Sequence, residues 1–295
     1  MGGIKTAMKT QKIKKRFVLL CVLAVLLALI IWTAWGNTAL MVNTISVSSD
    51  RIPAGFSGYR IAQVSDLHNA EFGAGNTKLL QTISENTPNI IVITGDLIDM
   101  NHTNMDTVLD FVKNAVQIAP IYYVTGNHEA ALSQYDKLKE ELKSVGVIVL
   151  EDKAVQLENN GSTVTLIGLS DPNFAIRNDV FDETPAMVST KLNDLLESEN
   201  DYTILLSHRP ELFETYINCG VDLVFSGHAH GGQFRLPFIG GLVAPNQGLF
   251  PKYDAGLYTD ANTNMVVSRG IGNSIIPFRF NNRPEVVLVE LRSES

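Results

Sequence analysis

From Tyr59 onward, short apolar runs alternate with amphipathic stretches. Tyr59–Val64, Ile90–Thr94, Ile121–Val124, Tyr202–Leu206 and Leu223–Phe225 are compact apolar runs, and each predicts a strand. Thr77–Glu85, Met105–Val116, Ser133–Ser144, Ala186–Leu196 and Glu211–Asn218 predict helices, and the charge pattern of Ser133–Ser144 marks a solvated outer face. Val147–Leu150, Ala154–Leu157 and Val164–Ile167 read as strands, with Asn159-Asn160-Gly161 as a hairpin turn between the last two. Thr44–Ser48, Met265–Ser268 and Val286–Leu291 predict further strands, and the Gly- and Pro-rich stretch Gln233–Asp260 reads as an ordered loop beside a site. This alternation predicts an α/β layered domain, a class in which ligands bind beyond the carboxyl ends of the strands.

The N-terminal pattern is of another kind. Lys5, Lys9, Lys12, Lys14, Lys15 and Arg16 precede an uncharged apolar run, Phe17–Trp35, long enough to span a bilayer as a helix. Basic residues on that side favour a cytoplasmic N-terminus, and Trp32 and Trp35 fall where an interfacial aromatic belt would lie. The length of the run, with no clean small-x-small site after it, favours an uncleaved signal anchor over a cleaved signal peptide. The expected organisation is a basic cytoplasmic leader over 1–16 and a transmembrane anchor over 17–35. A tether with a first edge strand covers 36–58, and one domain covers 59–295. The expected place is the cell membrane, single-pass, with that domain extracytoplasmic.

Charge narrows the partners. Six of the 23 basic residues lie in the leader, leaving 17 against 31 acidic residues, a net −14. A domain that acidic excludes nucleic acid as an expected partner. Cys21 lies inside the apolar run and Cys219 stands alone, so neither a disulfide framework nor a thiolate metal site is expected.

Five predicted strands are each followed at once by side chains that can ligate metal: Asp66 and His68; Asp96 and Asp99; Asn127 and His128; His208; His228 and His230. The sixth histidine, His102, reads as an exposed loop residue. Singly these are ordinary turn or core residues, but together they point to a metal centre. Carboxylate, imidazole and amide oxygen without thiolate suit Mn²⁺, Fe or Zn²⁺. The donors exceed what one ion uses; two ions sharing a bridging carboxylate, roughly 3.5–4 Å apart, would use them all.

The motifs DxH, GDxxD, GNHE, a lone His and GHxH, in this order, resemble those of the calcineurin-like metallophosphoesterases, from about Tyr59 to the C-terminus. Gly227–Pro237 and Arg283-Pro284-Glu285 look closest to the membrane-associated bacterial phosphodiesterases of the GHxHGGQ type. The resemblance implies a β-sandwich of two mixed sheets flanked by helices. It implies one divalent ion held by Asp66, His68, Asp96 and His230, and a second held by Asp96, Asn127, His208 and His228. His128 would face the phosphate, oriented by Asp99; Asp99 could instead cap the following helix. The implied reaction is hydrolysis of a phosphodiester or pyrophosphate by metal-activated water, with Mn²⁺ the first expectation for the metal. Met100 and Thr125 stand where protein phosphatases of this superfamily carry phosphate-gripping arginines, which disfavours a phosphomonoester. Arg235 and Arg269 are candidate substrate contacts. The apolar stretch Leu236–Phe250 either packs on the domain or forms a membrane-facing lip; with the anchor, the resemblance implies a lipid-linked or envelope phosphoester as the substrate class. The competing readings are a non-catalytic metal-binding scaffold and a phosphomonoesterase; the full set of ligands favours catalysis.

Overall fold

The computed structural model describes residues 2–175, 184–196, 201–273 and 276–294, with side chains from residue 14 onward, so Lys5, Lys9 and Lys12 lie outside the described side chains. The first element, α1, is one continuous helix over Gly2–Thr38. Its Lys14–Thr38 part is long and apolar enough to cross a membrane, and no residue of its most apolar window is buried inside the protein.

Two six-stranded mixed sheets follow. The first contains β1 (Met41–Ser49), β2 (Arg60–Val64), β3 (Ile90–Thr94), β4 (Ile121–Val124), β5 (Ile148–Val149) and the last strand, β16 (Glu285–Ser293). Its order is β1-β16-β2-β3-β4-β5, parallel except for β16 against β2. The strand expected at Thr44–Ser48 is thus longer, and parallel pairing with β16 over its whole length makes it the edge of the sheet. The second sheet contains β6 (Lys153–Asn159), β7 (Ser162–Gly168), β8 (Thr203–Leu206), β9 (Leu223–Ser226), β14 (Gly256–Asp260) and β15 (Thr263–Val267), in the order β14-β15-β9-β8-β7-β6. Asn160 and Gly161 close the β6–β7 hairpin, both with positive φ (49° and 76°), the conformation for which an Asn-Gly pair is selected.

The sheets pack face to face. Ile61, Val92 and Val287 of the first meet Leu166, Ile204, Phe225 and Val266 of the second in one buried core. The outer face of the first sheet is covered by α2 (Thr77–Glu85), α3 (Met105–Ala115) and α5 (Tyr135–Ser144), and that of the second by α6 (Thr184–Leu195) and α7 (Phe213–Asn218). The expected sandwich of mixed sheets flanked by helices is what the chain forms. Three local differences have local causes. A short helix, α4 (Asn127–Ala131), begins inside the GNHE motif. The helix expected from Glu211 opens as a 3-10 turn over Pro210–Leu212, where proline removes an N–H donor. The expected loop at Gln233–Asp260 carries two small hairpins before β14: β10 (Arg235–Leu236) with β11 (Gly240–Gly241), and β12 (Val243–Ala244) with β13 (Gly248–Leu249).

Candidate metal centre

The carboxyl ends of β2, β3 and β4 in one sheet and of β8 and β9 in the other meet at one end of the sandwich. Gln63 ties them together from below: its Nε2 donates to Thr94 Oγ1 (2.9 Å) on β3 and to the Ser226 carbonyl (2.9 Å) on β9. Beyond that clamp the chain turns sharply. Asp66, His68, Asp96, His228 and His230 all have left-handed backbones, with φ from 46° to 64°. Such conformations cost about 1–3 kcal/mol each and persist where the surroundings over-determine them, which is common at functional sites.

These turns aim side chains inward. Asp66, His68, Asp96 and His230 offer ligand atoms within 4.8 Å of one another, and so do Asp96, His208 and His228; all are buried. In the first group His68 Nε2 lies 3.3 Å from His230 Nε2 and 3.7 Å from Asp96 Oδ2, and His230 Nε2 lies 3.4 Å from Asp66 Oδ1. In the second, His208 Nε2 lies 3.2 Å from Asp96 Oδ2, 3.2 Å from Asn127 Oδ1 and 3.1 Å from His228 Nδ1. Ligand atoms about 2.0–2.2 Å from one ion stand roughly 3.0–3.5 Å apart, so these spacings fit two cation cradles with Asp96 Oδ2 common to both. The donor set of carboxylates, imidazoles and one amide oxygen fits a divalent transition ion.

The supports around the ligands are backbone groups and glycines. His208 Nδ1 donates to the Thr94 carbonyl (2.8 Å), which leaves Nε2 free to ligate. Asp96 Oδ1 accepts the His128 N–H (2.9 Å), leaving Oδ2 for the cradles. The His228 N–H donates to Asp66 (3.1 Å to Oδ1), and Ser65 Oγ donates to Asp66 Oδ2 (2.6 Å). A Cβ at Gly126 would collide with Asp96 Oδ1, and one at Gly227 with Ser65 Oγ and Asp66. Glu129, the last residue of GNHE, is fully buried. Its carboxylate accepts N–H bonds from Asp96, Leu97, Ile98 and Gly126 at 2.7–3.2 Å, joining the GDxxD and GNHE loops.

Electrostatics separates the histidines. Burial pushes His68 down to about 4, and burial, aided by Arg209 for His228 and by His68 for His230, puts those two well below the ordinary imidazole value. Burial would lower His208 too, but the Asp96 carboxylate outweighs it and holds His208 up at about 10. Burial raises Asp66 to about 6. Burial opposes ionisation of Asp96, yet His208 keeps it well below the carboxylate range.

His128 lines the adjoining cavity, of about 380 Å³, together with Asp96, Asn127, Arg209 and the apolar Val243, Ala244, Pro245 and Ile276. The Met100 N–H donates to His128 Nδ1 (3.1 Å). Asp99 Oδ2 is 3.9 Å from that nitrogen and 3.9 Å from His68 Nδ1, beyond hydrogen-bond range of both. Direct orientation of His128 by Asp99 is therefore replaced by a backbone donor. Asp99 Oδ1 accepts the N–H groups of Asn101 and His102 (2.8 and 3.0 Å), shaping the loop that carries Met100. Asp99 does not cap α3; Asn104 does, accepting from the Thr107 N–H (3.2 Å). His102 is exposed, as its loop position suggested.

The two candidate substrate arginines do not line this cavity. Arg235 is held by Asp254 (2.9 Å) and the Gly231 carbonyl (2.9 Å), and Arg269 lies against Glu285 (3.6 Å), so carboxylates engage both. Among the described residues, the arginine lining the cavity is Arg209, which the sequence reading passed over. It is buried, forks onto Asp171 (2.6 and 2.9 Å), and with Asn246 Oδ1 it borders His228 Nε2 (3.1 and 3.0 Å). Its position directly after the lone His208 is the signal that could have marked it. Arg279, also buried, stands behind His230 Nδ1 (3.4 Å). A larger cavity, about 580 Å³, lies at the opposite ends of β8 and β9 near Arg51 and Asp222, which pair with each other (2.5 Å); none of the ligand groups lines it.

Over residues 59–232 the chain matches the family model of the calcineurin-like phosphoesterases. It is 30% identical over 253 residues to the uncharacterised metallophosphoesterase YkuE of Bacillus subtilis (strain 168), covering 84% of each chain. It is 28% identical over 241 residues to the phosphodiesterase YaeI of Escherichia coli (strain K12), covering 79% of this chain and 82% of that one. Among solved structures, the protein TT1561 of Thermus thermophilus shares the fold, with a TM-score of 0.51 at 12% identity over 73% of this chain and 91% of that one.

Proposed function

Because this chain belongs to the calcineurin-like phosphoesterase family, we propose that it is a membrane-anchored dinuclear-metal phosphohydrolase that cleaves phosphodiester or pyrophosphate bonds. The observation that carries this reading is Asp96 Oδ2, 3.7 Å from His68 Nε2 on one side and 3.2 Å from His208 Nε2 on the other. On this reading Asp66, His68, Asp96 and His230 hold one ion, and Asp96, Asn127, His208 and His228 hold the other. Divalent ions in these cradles, Mn²⁺ ahead of Fe or Zn²⁺, supply Lewis acidity toward the phosphoryl oxygens and make water nucleophilic.

The chain's own contribution is positioning and hydrogen-bond donation. With Nδ1 accepting from Met100, a neutral His128 carries its proton on Nε2. From the cavity wall it donates a hydrogen bond from that Nε2–H to a non-bridging phosphoryl oxygen or to the leaving oxygen. Asp99 sets this arrangement through its loop. Met100 and Thr125 offer no guanidinium to a terminal phosphate, which supports a diester or pyrophosphate over a monoester, and one relative is itself named a phosphodiesterase. The apolar wall of Val243, Ala244, Pro245 and Ile276 supports a lipid-linked or envelope substrate. The basic residues ahead of the apolar part of α1 support a cytoplasmic N-terminus and an extracytoplasmic catalytic domain.

The test is Mn²⁺-dependent hydrolysis of bis(p-nitrophenyl) phosphate by the full chain in detergent. Asp96→Ala should lose metal and activity together. His128→Ala should keep its metal and lose about 10²–10⁴-fold in turnover. Retained turnover in His128→Ala removes its role, and a metal-loaded wild type inert toward diesters and pyrophosphates leaves the scaffold reading. Equal turnover of soluble and bilayer-embedded diesters counts against a lipid substrate.

A further inference from the structure

Two segments frame the mouth of the cavity, 234–250 and 276–284, and neither contains an acidic residue in a chain that carries 31. Both present large apolar side chains to solvent. At the tip of the β10–β11 hairpin Phe238 is fully exposed and Ile239 is 62% exposed. Leu249 and Phe250, at 69% and 59%, follow from the β12–β13 hairpin. Phe278 is 47% exposed, its ring edge against Phe234 (centroids 5.3 Å). The segments are stitched into one surface. Gln233 Nε2 donates to the carbonyls of Ile276 (3.0 Å) and Phe278 (2.7 Å), and the Arg235 N–H donates to the Phe280 carbonyl (3.0 Å). Isolated surface apolar residues need no explanation, but a contiguous patch at a site mouth marks an interaction surface.

The end of α1 identifies the occupant. Asn37 exchanges two hydrogen bonds with the Arg279 backbone, Nδ2 to the carbonyl (2.8 Å) and Oδ1 from the N–H (2.7 Å). Arg283 lies over the Trp35 ring (4.9 Å) and donates to the carbonyls of Ala39 (2.7 Å) and Leu40 (2.9 Å). The exposed Phe278 therefore sits one residue from the point where the apolar helix is bolted to the domain. Where α1 crosses a bilayer, with Trp32 and Trp35 at its interface, the Phe278 end of the patch lies at the level of the headgroups. Missing carboxylates remove the repulsion that the rest of this acidic domain would meet at an anionic leaflet.

We propose that this apolar rim docks on the same bilayer that α1 spans, so that the cavity opens onto the headgroup layer and receives its phosphoester from the leaflet. The inference rests on the anchoring of α1. Interfacial burial of Phe, Ile and Leu at hairpin tips supplies the attraction, and the Asn37–Arg279 and Arg283–Trp35 contacts fix the orientation.

The full chain, with Cys21→Ala and Cys219→Ala, is reconstituted into phosphatidylcholine/phosphatidylglycerol vesicles and checked by flotation. Spin labels are placed at Phe238→Cys, at Leu249→Cys and, as control, at Ile148→Cys, exposed on the far edge strand β5. Power saturation should show the labels at 238 and 249 several-fold more accessible to oxygen, relative to a water-soluble nickel chelate, than the label at 148. Equal accessibility ratios at all three, in protein that floats with the vesicles, overturn docking while leaving the anchor standing. Shielding of 238 and 249 from both reagents points to a protein partner or a second copy and also overturns it. Failure to float overturns the anchor and docking together.

Discussion

Filling both cradles at neutral pH should release close to one proton per chain from the four ligand imidazoles. Four imidazoles are involved, but burial keeps His68 neutral down to about pH 4 and holds His228 and His230 well below the ordinary value. His208 differs, because its Nε2 faces Asp96 Oδ2 at 3.2 Å and the pair keeps its proton up to about pH 10. Its Nδ1–H is committed to the Thr94 carbonyl in either state, so the proton that a cation must displace is the one on Nε2. Protonated His208 dominates in the metal-free chain below about pH 10, so lowering the pH weakens the second cradle. Between pH 7 and 9 its affinity should rise about tenfold, or about 1.4 kcal/mol, per pH unit. Below about pH 6 Asp66 also takes up a proton, and the slope for complete loading should steepen. Titration calorimetry with Mn²⁺ at pH 7.5, in buffers of different ionisation enthalpy, reads the proton count directly. From the side chains, filling the first cradle should release almost none and filling the second about one, and one activated water adds at most one more. A total near three or four would mean that burial does not hold the other imidazoles neutral, and a total near zero would mean that Asp96 does not hold the proton on His208; either refutes the reasoning.

Arg209→Met strands the Asp171 carboxylate, 2% exposed, without its fork; urea denaturation should show a loss of about 3–5 kcal/mol, partly recovered by adding Asp171→Asn. Glu129→Gln turns one acceptor into a donor facing two backbone N–H groups, so stability should fall by about 2–4 kcal/mol, read as a lower denaturation midpoint. Gly227→Ala forces a methyl group against Ser65 Oγ and Asp66 Oδ2, and metal titration should show at least tenfold weaker binding in the cradle that Asp66 serves.

The residue order alone marked the strands that lead to the site and the side chains that leave their carboxyl ends, because burial periodicity and motif spacing are local properties of the chain, but it missed β10 to β14 in the stretch read as a loop. Asp66, His68, Asp96, Asn127, His208, His228 and His230 could all be named that way, as could the long apolar span in α1. The structure had to decide what each side chain meets. Arg209 finds Asp171 across 38 positions, because β7 and β8 pair in one sheet, and Arg279 finds His230 across 49, contacts that no repeat in the sequence announces. Arg235 and Arg269 looked available for a substrate until folding brought Asp254 and Glu285 to them. Asp99 looked like the partner of His128 until the loop placed the Met100 N–H closer. Whether a charged side chain serves a substrate or a neighbour depends on which group arrives within about 3 Å, and the packing of the loops beyond the strand ends sets that distance.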